Sequence, residues 1–329
     1  MITNSLEETI AAGREPAVPQ AMAGPVPATV EAHRARLHAL DVEGGRIAYL
    51  DEGSWDGEVV VLLHGMPTSS WLWRRVVPGL VNAGFRVVAP DLLGFGASDK
   101  PADASLYAIP RQAARVVELL DALRIRSATF AVHDLGGPWG FELADRAPER
   151  IARLVILNTA AYRDGFRPPA VIRMVGGPLG PVMLRTMGSP VGRPMLAAFF
   201  RTFVGDPSVM TAEAVRGYWL PLHEGTTRPF RQFARTFGYT FANLDRWAAA
   251  LHRLDAPALV IWGLLDPVVN GLKQSRQLAR DLAIPEDRIH LIPDANHFLQ
   301  EDRGPELAEL IRAFIGSTEP ARHPTPSAG

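Results

Sequence analysis

The sequence predicts an α/β fold with a mostly parallel central sheet flanked by helices and a helical cap insertion. Short apolar segments that favour strands alternate with longer amphipathic segments on both sides of the middle of the chain. This alternation is typical of a parallel sheet with helices on both faces. Residues 162–248 interrupt it, because they are rich in proline and aromatic residues and contain no convincing strand. This stretch is expected to cap the carboxyl edge of the sheet, where open α/β sheets bind ligands.

The alternating segments predict the core elements in order. Strands are expected at residues 46–51, 59–64, 85–90, 128–133, 151–157, 258–262 and 288–292. Pro78 should shorten or kink the first of the helices expected at residues 71–81, 112–123, 139–147 and 306–315. The core therefore comprises residues 31–160 and 249–316, and the cap residues 161–248. Residues 1–30, which are rich in Ala, Pro and Gly, and residues 317–329 are predicted to be disordered.

Composition limits the classes of function. The 329 residues are 47% hydrophobic, enough to bury a sizeable core, and the absence of cysteine excludes disulfides and thiolate chemistry. A net charge of −1 and an isoelectric point near 6.8 give no overall footprint for nucleic acid or an anionic membrane. Residues 1–20 do not resemble a signal peptide, and no apolar run reaches the roughly 18 residues of a membrane span. We therefore expect a cytoplasmic protein without a nucleic-acid or membrane partner. The motifs described below imply no cofactor or metal, and the partners that they predict are a small-molecule substrate and water.

Residues 128–137 contain the most informative motif of the chain. A six-residue segment that favours a strand is followed by Asp134, Leu135, Gly136 and Gly137, and then by an amphipathic run. A strand that turns directly into a helix through glycines is the nucleophile elbow of the α/β-hydrolase fold. The elbow lifts one side chain clear of the sheet, and here that side chain is a carboxylate instead of a serine hydroxyl.

A carboxylate at the elbow predicts a particular chemistry. Asp134 is ionised at neutral pH, since its ordinary pKa is about 3.9, and it can displace a leaving group from an sp3 carbon to form an ester. Hydrolysis of that ester requires a water, a general base and donors for the oxyanion. His297 follows the last predicted strand and Asp266 the preceding one, which gives the order nucleophile, acid, histidine. The backbone amides of Met66 and Leu135 are expected to form the oxyanion hole.

Each of these residues also has a purely structural interpretation. Asp134 could cap a helix, Asp266 could start a turn, and a single histidine such as His297 is more often structural. Their joint occurrence, in order and each at the end of an apolar strand, favours the catalytic interpretation. His64 and His133 are interpreted as structural.

Several segments of the core resemble the haloalkane dehalogenases. The motifs are HGMPTSS from His64, DLLGFGASDKP from Asp91, HDLGGP from His133, LVILNT from Leu154 and HFLQE from His297. The resemblance covers residues 40–160 and 250–316, without the cap, and extends to other hydrolases with an Asp nucleophile, including epoxide hydrolases and fluoroacetate dehalogenases. One branch of the dehalogenases carries the acid at the position of Asn158. The resemblance therefore implies that Asp266 is the acid here, as in the other branch and in epoxide hydrolases.

Three departures from the dehalogenase pattern surround the nucleophile. Leu135 stands where these enzymes usually carry a tryptophan whose indole N–H holds the departing halide, and Met66 stands where many carry a polar side chain. Neither side chain can donate a hydrogen bond. Val132 replaces a common glycine two residues before the nucleophile. Fluoroacetate dehalogenases have arginine after the aspartate, so Leu135 also argues against that activity.

Side chains of the cap and of the elbow helix are candidates for substrate binding. Epoxide hydrolases resemble this core equally and use cap tyrosines to protonate the opening ring, for which Tyr162, Tyr218 and Tyr239 are available. Trp219 and Trp247 could instead donate to a halide from the cap. An apolar pocket could be lined by Met66, Leu135, Trp139, Phe166 and Phe298.

The residues leave three hypotheses for function. The first is dehalogenase-like hydrolysis of a small or medium apolar substrate through an ester on Asp134. The alternative is epoxide hydrolysis by the same nucleophile. The third is a non-catalytic ligand-binding protein that retains the hydrolase fold, which the substitutions around Asp134 favour and the complete set of catalytic residues opposes.

Overall fold

An eight-stranded sheet forms the centre of the computed structural model, which describes residues 25–168 and 170–321. The strands are β1 Leu37–Val42, β2 Gly45–Glu52, β3 Val59–Leu63, β4 Arg86–Asp91, β5 Ala128–His133, β6 Ile151–Leu157, β7 Ala258–Gly263 and β8 Ile289–Ile292. Their order across the sheet is β1-β2-β4-β3-β5-β6-β7-β8. Strands β3 to β8 run parallel, whereas β2 is antiparallel to both β1 and β4. The predicted mostly parallel sheet is confirmed.

Helices cover both faces of the sheet and fill the region between β6 and β7. The helices of the described residues are α1 Val30–Arg34, α2 Val77–Asn82, α3 Ile109–Ala122, α4 Gly136–Arg146, α5 Ala170–Gly176, α6 Gly180–Met187, α7 Arg193–Arg201, α8 Ala212–Pro221, α9 Thr227–Arg235, α10 Phe237–His252, α11 Gly271–Asp281 and α12 Leu299–Gly316. A 3-10 helix, Ser70–Arg75, precedes α2. None of these helices is both long enough and apolar enough to cross a membrane.

Apolar side chains alternate between the faces of the sheet because successive residues of a strand point in opposite directions. In β3, Val60 and Leu62 pack into the cluster on one face, whereas Val61 and Leu63 pack into the cluster on the other. All residues of β4 to β7 are buried, as expected for parallel strands covered on both faces. The central strands thus form a packed platform that fixes the loops at their carboxyl ends.

The sequence analysis does not predict α1 or α11, and the helices predicted at residues 112–123 and 306–315 begin earlier, at Ile109 and Leu299. Three further differences have a simple cause. The sequence analysis does not predict β1, whose residues are only half-buried or exposed at the edge of the sheet. The predicted helix 71–81 is divided into the 3-10 helix and α2, and Pro78 lies in the first turn of α2, where its missing N–H is tolerated. The helix after Asp134 begins at Gly136 instead of residue 139, since the glycines of the elbow are already helical.

The region between β6 and β7 corresponds to the predicted cap. Its described residues form helices α5 to α10 and contain no strand. The segments predicted to be disordered lie largely outside the described residues. At their inner ends, the Val30 N–H donates to Glu213 of α8, and Arg153 of β6 donates to Thr318. Residues 30 and 318 therefore contact the folded part of the chain.

Candidate active site

Polar side chains or backbone hydrogen-bonding groups follow five neighbouring parallel strands and lie at the same edge of the sheet. Strand β3 is followed by the Gly65–Met66 turn, β5 by Asp134, and β6 by Asn158. Asp266 and His297 lie in the loops after β7 and β8. Because β3, β5, β6, β7 and β8 are adjacent and parallel, their carboxyl ends meet along one edge of the sheet. The chain crosses over between β3 and β5, which is the switch point where such sheets hold their sites.

Asp134 occupies a tight turn between β5 and α4. Its φ of 51° lies in the left-handed region, which is uncommon for a residue with a Cβ. Two glycines make the turn possible. A Cβ on Gly65 would lie 2.3 Å from the Asp134 Cβ, and one on Gly136 would lie 2.5 Å from the Leu63 carbonyl oxygen. The sequence thus folds into the predicted elbow because glycine stands at both points of contact.

The two carboxylate oxygens of Asp134 have different partners. Oδ1 accepts a hydrogen bond of 2.7 Å from the Met66 amide, and Oδ2 lies 3.4 Å from His297 Nε2. Burial would raise the pKa of Asp134, but the hydrogen bond and positive charge of His297 lower it overall. Leu135 is the N-cap of α4, so its amide is among the N–H groups that stabilise negative charge at a helix start. The side chain of Asp134 is therefore an ionised carboxylate, and 28% of it is exposed.

Asp266 fixes the ring of His297. Its Oδ2 accepts from His297 Nδ1 at 2.8 Å, and its Oδ1 accepts the backbone N–H groups of Val268 and Val269. Burial would raise the pKa of Asp266, but the charge and hydrogen bond of His297 outweigh burial and lower it. The imidazole is thereby oriented with Nε2 toward Asp134.

Asn158 holds Asp266 in turn. Its side-chain N–H group donates to Asp266 Oδ2 at 2.8 Å, while its Oδ1 accepts the Gly263 amide at 2.8 Å. The two positions at which dehalogenases carry the acid are thus hydrogen-bonded neighbours here. The sequence analysis considers Asn158 only as the place of a missing acid, and its contact with Asp266 could not be derived from spacing.

His297 carries a strongly shifted pKa. Burial would lower it, but the negative charge of Asp266 and the hydrogen bonds to Asp134 and Asp266 raise the pKa to about 10. The resting site is therefore an imidazolium held between two carboxylates at neutral pH.

His133 and His64 brace the loops of the site. His133 Nε2–H donates to the backbone carbonyl of His297 at 2.8 Å, and burial together with the charge of His297 lowers the pKa of His133 to about 4. His64 Nδ1–H donates to the Gly65 carbonyl, and its Nε2 accepts the Leu92 amide. Both rings are buried and serve as neutral hydrogen-bonding groups.

Two apolar cavities adjoin at the elbow. The first contains Asp134 and His297, and its walls are dominated by the phenylalanines Phe166, Phe199, Phe203, Phe230, Phe233, Phe237 and Phe298. The second lies beyond Leu135 and is lined by residues that include Phe95, Ile109, Trp139 and Tyr239. Both are bounded by Met66, Leu135, Phe233 and Thr240. Leu135 therefore stands in the partition between the two cavities.

The predicted substrate-binding residues divide into three groups. Phe166 and Phe298 line the first cavity, and Trp139 and Tyr239 line the second. The structure does not bring Tyr218 or Trp219 to either cavity. Tyr218 is buried with its hydroxyl donating to Glu301, and the Trp219 indole donates to the Ser189 carbonyl.

Two further aromatic candidates also lie away from the cavities. Trp247 is buried and its indole donates to Glu142 at 2.8 Å, so that N–H is not available to a leaving group. Tyr162 is buried and borders neither cavity. The polar side chains that do border the first cavity are Asp134, His297 and Thr240. The Thr240 hydroxyl is buried without a hydrogen-bond partner among the described residues.

Sequence reasoning missed Thr240 and most of the phenylalanines. A threonine inside an amphipathic helix carries no signal of its own, and the phenylalanines of the cap are spaced as ordinary packing residues. Within residues 25–168 and 170–321, no three His, Asp or Glu side chains are arranged to hold a metal ion.

The fold and the site define the class of protein. The family model for the alpha/beta hydrolase fold matches residues 58–304, and the chain belongs to this family. It is similar to a haloalkane dehalogenase from Mycolicibacterium paratuberculosis, at 36% identity over 290 residues that cover 86% of this chain and 92% of the relative. It is also similar to a cis-3-alkyl-4-alkyloxetan-2-one decarboxylase from Xanthomonas campestris pv. campestris, at 34% identity over 304 residues that cover 84% of this chain and 94% of the relative. Among solved structures, epoxide hydrolase CorEH matches with a TM-score of 0.71 at 24% identity, over 85% of this chain and 98% of that chain, which is a likeness of fold.

Proposed function

We propose that the protein is a dehalogenase-like hydrolase that acts on an apolar substrate through a covalent alkyl ester of Asp134. The observation that supports this most directly is the arrangement of the Asp134 carboxylate, with one oxygen on the Met66 amide and the other facing His297 Nε2. The similarity to haloalkane dehalogenases along most of the chain supports the same assignment. The cavity around the carboxylate is lined almost entirely by apolar side chains, which suits an apolar substrate.

The first step is displacement at a saturated carbon. The Asp134 carboxylate attacks that carbon, a new carbon–oxygen bond forms, and the leaving group departs with the electron pair of the bond that breaks. No base is needed, since the pKa of Asp134 is below its ordinary value. The partly closed apolar cavity excludes water from the reacting atoms.

The second step is hydrolysis of the ester, and loss of the Asp134 charge prepares it. The negative charges of Asp266 and Asp134 raise the pKa of His297. Esterification removes the charge of Asp134, which lowers the pKa of His297 and allows it to release its proton and act as a base. A water then gives its proton to His297 and attacks the ester carbonyl, while the amides of Met66 and Leu135 stabilise the oxyanion. The tetrahedral intermediate expels the alkoxide, which takes a proton from His297, and the acid proton of Asp134 passes to His297 to restore the carboxylate and the imidazolium.

Labelled water tests this route directly. In a single turnover with excess enzyme in H₂¹⁸O, the water oxygen should enter the carboxylate of Asp134, and the alcohol should carry the unlabelled oxygen of the aspartate. Mass spectrometry of the product and of the peptide that contains Asp134 gives both readouts. Full labelling of the first-turnover alcohol would show that water attacks the substrate itself, which contradicts the ester.

A second candidate function is the opening of a strained lactone, because the site offers little to a departing halide. The side chains of Leu135 and Met66 have no hydrogen-bond donor, and the indole N–H groups of Trp219 and Trp247 already donate to other groups. In an oxetan-2-one, Asp134 would attack the saturated carbon that is bonded to the ring oxygen, and the bond between that carbon and the ring oxygen would break. The carboxylate that this releases would remain attached to the adjacent carbon. Loss of CO₂ and departure of the Asp134 carboxylate would then form an alkene without water. Two alkyl arms on adjacent carbons would suit two cavities that adjoin at Leu135.

Epoxide hydrolysis and ligand binding without turnover remain as further alternatives. An epoxide needs a proton donor, but no tyrosine lines the cavity that contains Asp134. A panel of haloalkanes, epoxides and oxetan-2-ones, assayed for halide, diol and CO₂, separates the three chemistries. Halide release would support the first candidate, CO₂ the second and diol the third. Stoichiometric binding without any product would contradict an enzymatic role. We also propose that this small-molecule chemistry takes place in the cytoplasm.

A further inference from the structure

The outward faces of α5, α6 and α7 consist mainly of apolar side chains. A helix on the surface of a globular protein ordinarily directs its polar face toward water. Here Leu179, Val182 and Val191 are 78%, 65% and 82% exposed. The exposed positions of residues 170–201 are Ala170, Arg173, Met174, Pro178, Leu179, Pro181, Val182, Arg185, Thr186, Pro190, Val191, Pro194, Met195, Ala198 and Arg201. This surface, the outer cap face, is therefore apolar and carries only arginine as its charged residue type.

Charge is segregated in the same segment. Between Asp164 and Asp206 the sequence contains no Asp, Glu or Lys, and its charged residues are Arg167, Arg173, Arg185, Arg193 and Arg201. In the described part of the chain none of these arginines forms a salt bridge, whereas arginines of the core such as Arg74 and Arg86 are paired with carboxylates. The protein therefore has one positively charged face, although its overall net charge is −1.

An arginine-lined depression borders the apolar residues. Pro181, Arg185 and Pro190 belong to the outer cap face and also line this depression, whose other walls include Arg228 and Arg231. Glu224 lies nearby in sequence, but its carboxylate is paired with Arg34. The depression therefore presents guanidinium groups that suit phosphate oxygens.

The helices of the outer cap face also form a wall of the first cavity. Val171 and Ile172 of α5 and Phe199 of α7 line that cavity, while Arg173, Met174 and Ala198 are exposed. One thin layer of helices thus separates the apolar outer surface from the apolar cavity.

We propose that the outer cap face, together with the adjoining arginine-lined depression, docks on the surface of an anionic phospholipid bilayer. Apolar side chains between arginines are the pattern of helices that lie in a membrane interface. Charge complementarity identifies the partner as anionic lipid, because the face carries positive charge without any acidic residue. This association lies on the surface and needs no spanning helix. It revises the expectation of no membrane partner, which rests on net charge averaged over the whole chain.

Co-sedimentation of the full chain with lipid vesicles tests the proposal. The protein should bind vesicles of phosphatidylcholine mixed with phosphatidylglycerol and bind pure phosphatidylcholine at least about tenfold more weakly, as expected when several arginines contribute. Leu179→Glu should weaken binding to the anionic vesicles by about tenfold or more, since it removes an apolar side chain that docking would bury in the bilayer. The double variant Arg173→Glu/Arg185→Glu should have an effect of at least that size.

Matched variants elsewhere on the surface control for charge and hydropathy. Leu272→Glu is the control for Leu179→Glu, because it alters a leucine of α11 whose exposed fraction is 44%. Arg126→Glu/Arg276→Glu is the control for Arg173→Glu/Arg185→Glu, because it makes the same change of charge outside the cap. Both should bind anionic vesicles like the wild type. Circular dichroism and thermal melting should show that all variants are folded, which the exposure of these positions favours.

Five outcomes would overturn the proposal. The first is no binding of the folded wild type to anionic vesicles, and the second is equal binding to both kinds of vesicle. The third is an equal loss of binding in the control variants. The fourth is a wild-type dimer that Leu179→Glu dissociates, which would make the outer cap face a contact between two copies. Competition by free glycerol phosphate that removes all vesicle binding would likewise replace the bilayer by a soluble anion.

Discussion

The edge of the sheet and the cap hold their functional residues in opposite ways. At the sheet edge, Asp134, Asp266 and His297 are each fixed by hydrogen bonds to backbone groups or to one another. In the cap, the side chains that face the first cavity are mainly phenylalanines, which carry no directional group. In the proposed mechanism, the first region defines which bonds can be made and broken, and the second defines which molecules reach Asp134.

Two polar cap residues that the sequence suggests as hydrogen-bond donors to a substrate have other partners in the structure. Tyr218 and Trp247 look like donors in the sequence, but each donates to a buried glutamate that lies outside the cap, Glu301 or Glu142. These contacts join cap helices to α12 and α4 of the core. These two polar groups thus attach the cap to the core, whereas Thr240 of the cap and the polar side chains of the sheet edge border the cavity.

The largest effect is expected from His297→Gln. Loss of the base should stop hydrolysis of the ester while leaving the attack of Asp134 intact, so turnover should fall on the order of 10,000-fold or more. Intact-protein mass spectrometry with a substrate that the wild type turns over should show a mass gain on Asp134. Asp134→Asn is the control that should show none. An unmodified His297→Gln protein that still binds substrate would contradict the covalent mechanism.

Asp266→Asn tests the orienting carboxylate and should lower turnover by roughly 100- to 10,000-fold. The charge of Asp266 raises the pKa of His297, so the pKa should fall from about 10 in the variant, which NMR titration can follow. The ordinary value is 6.5, so His297 adds stability that is fully present below pH 6.5 and is lost as pH rises through about 10. The variant should show a flatter dependence of stability on pH. Wild-type turnover in Asp266→Asn would assign the orienting role to another group.

The core could be predicted from sequence because its signals are local. Asp134 and its glycines are neighbours in the chain, and each strand that carries a site residue is a short apolar run. The contacts of the cap could not be predicted, since they join residues far apart in sequence. Tyr218 meets Glu301, and the Thr240 hydroxyl is identified only by the absence of a partner among the described residues. Asn158 is an intermediate case. Its position at the end of a strand could be predicted from the sequence, but its hydrogen bond to Asp266 could not.

Leu135→Trp tests the residue that distinguishes this elbow from those of dehalogenases. A hydrogen bond to a charged group is worth roughly 1.5–3 kcal/mol, so an added indole donor should raise halide release by about 10- to 100-fold. Met66→Asn adds a second donor if one is insufficient. We expect the wild type to dehalogenate simple haloalkanes weakly or not at all. A wild-type rate of about 1 per second or more would show that another group replaces the missing donor.

Thr240→Val removes the hydroxyl that borders both cavities while keeping the shape of the side chain. If that hydroxyl donates to the leaving group, turnover should fall by about tenfold with little change in KM, because the bond strengthens as charge develops. Thr236→Val, on the exposed rim of the second cavity, is the matched control. Equal rates for Thr240→Val and the wild type would exclude Thr240 as a donor.

The smallest effect on turnover is expected from Tyr218→Phe, which separates the attachment of the cap from chemistry. Burial and the charge of Glu301 raise the pKa of Tyr218 well above its ordinary value, so its hydroxyl stays neutral and donates to that carboxylate. Without it, Glu301 keeps two hydrogen bonds from Arg74, at 2.6 and 2.8 Å. The free energy of unfolding should therefore fall by about 1.5–3 kcal/mol, measured by urea denaturation, while turnover stays within about twofold. Tyr239→Phe, which alters one of the tyrosines that line the second cavity, should leave stability nearly unchanged. If Tyr218→Phe instead abolished turnover at unchanged stability, the tyrosine would act in chemistry and the contrast between cap and sheet edge would fail.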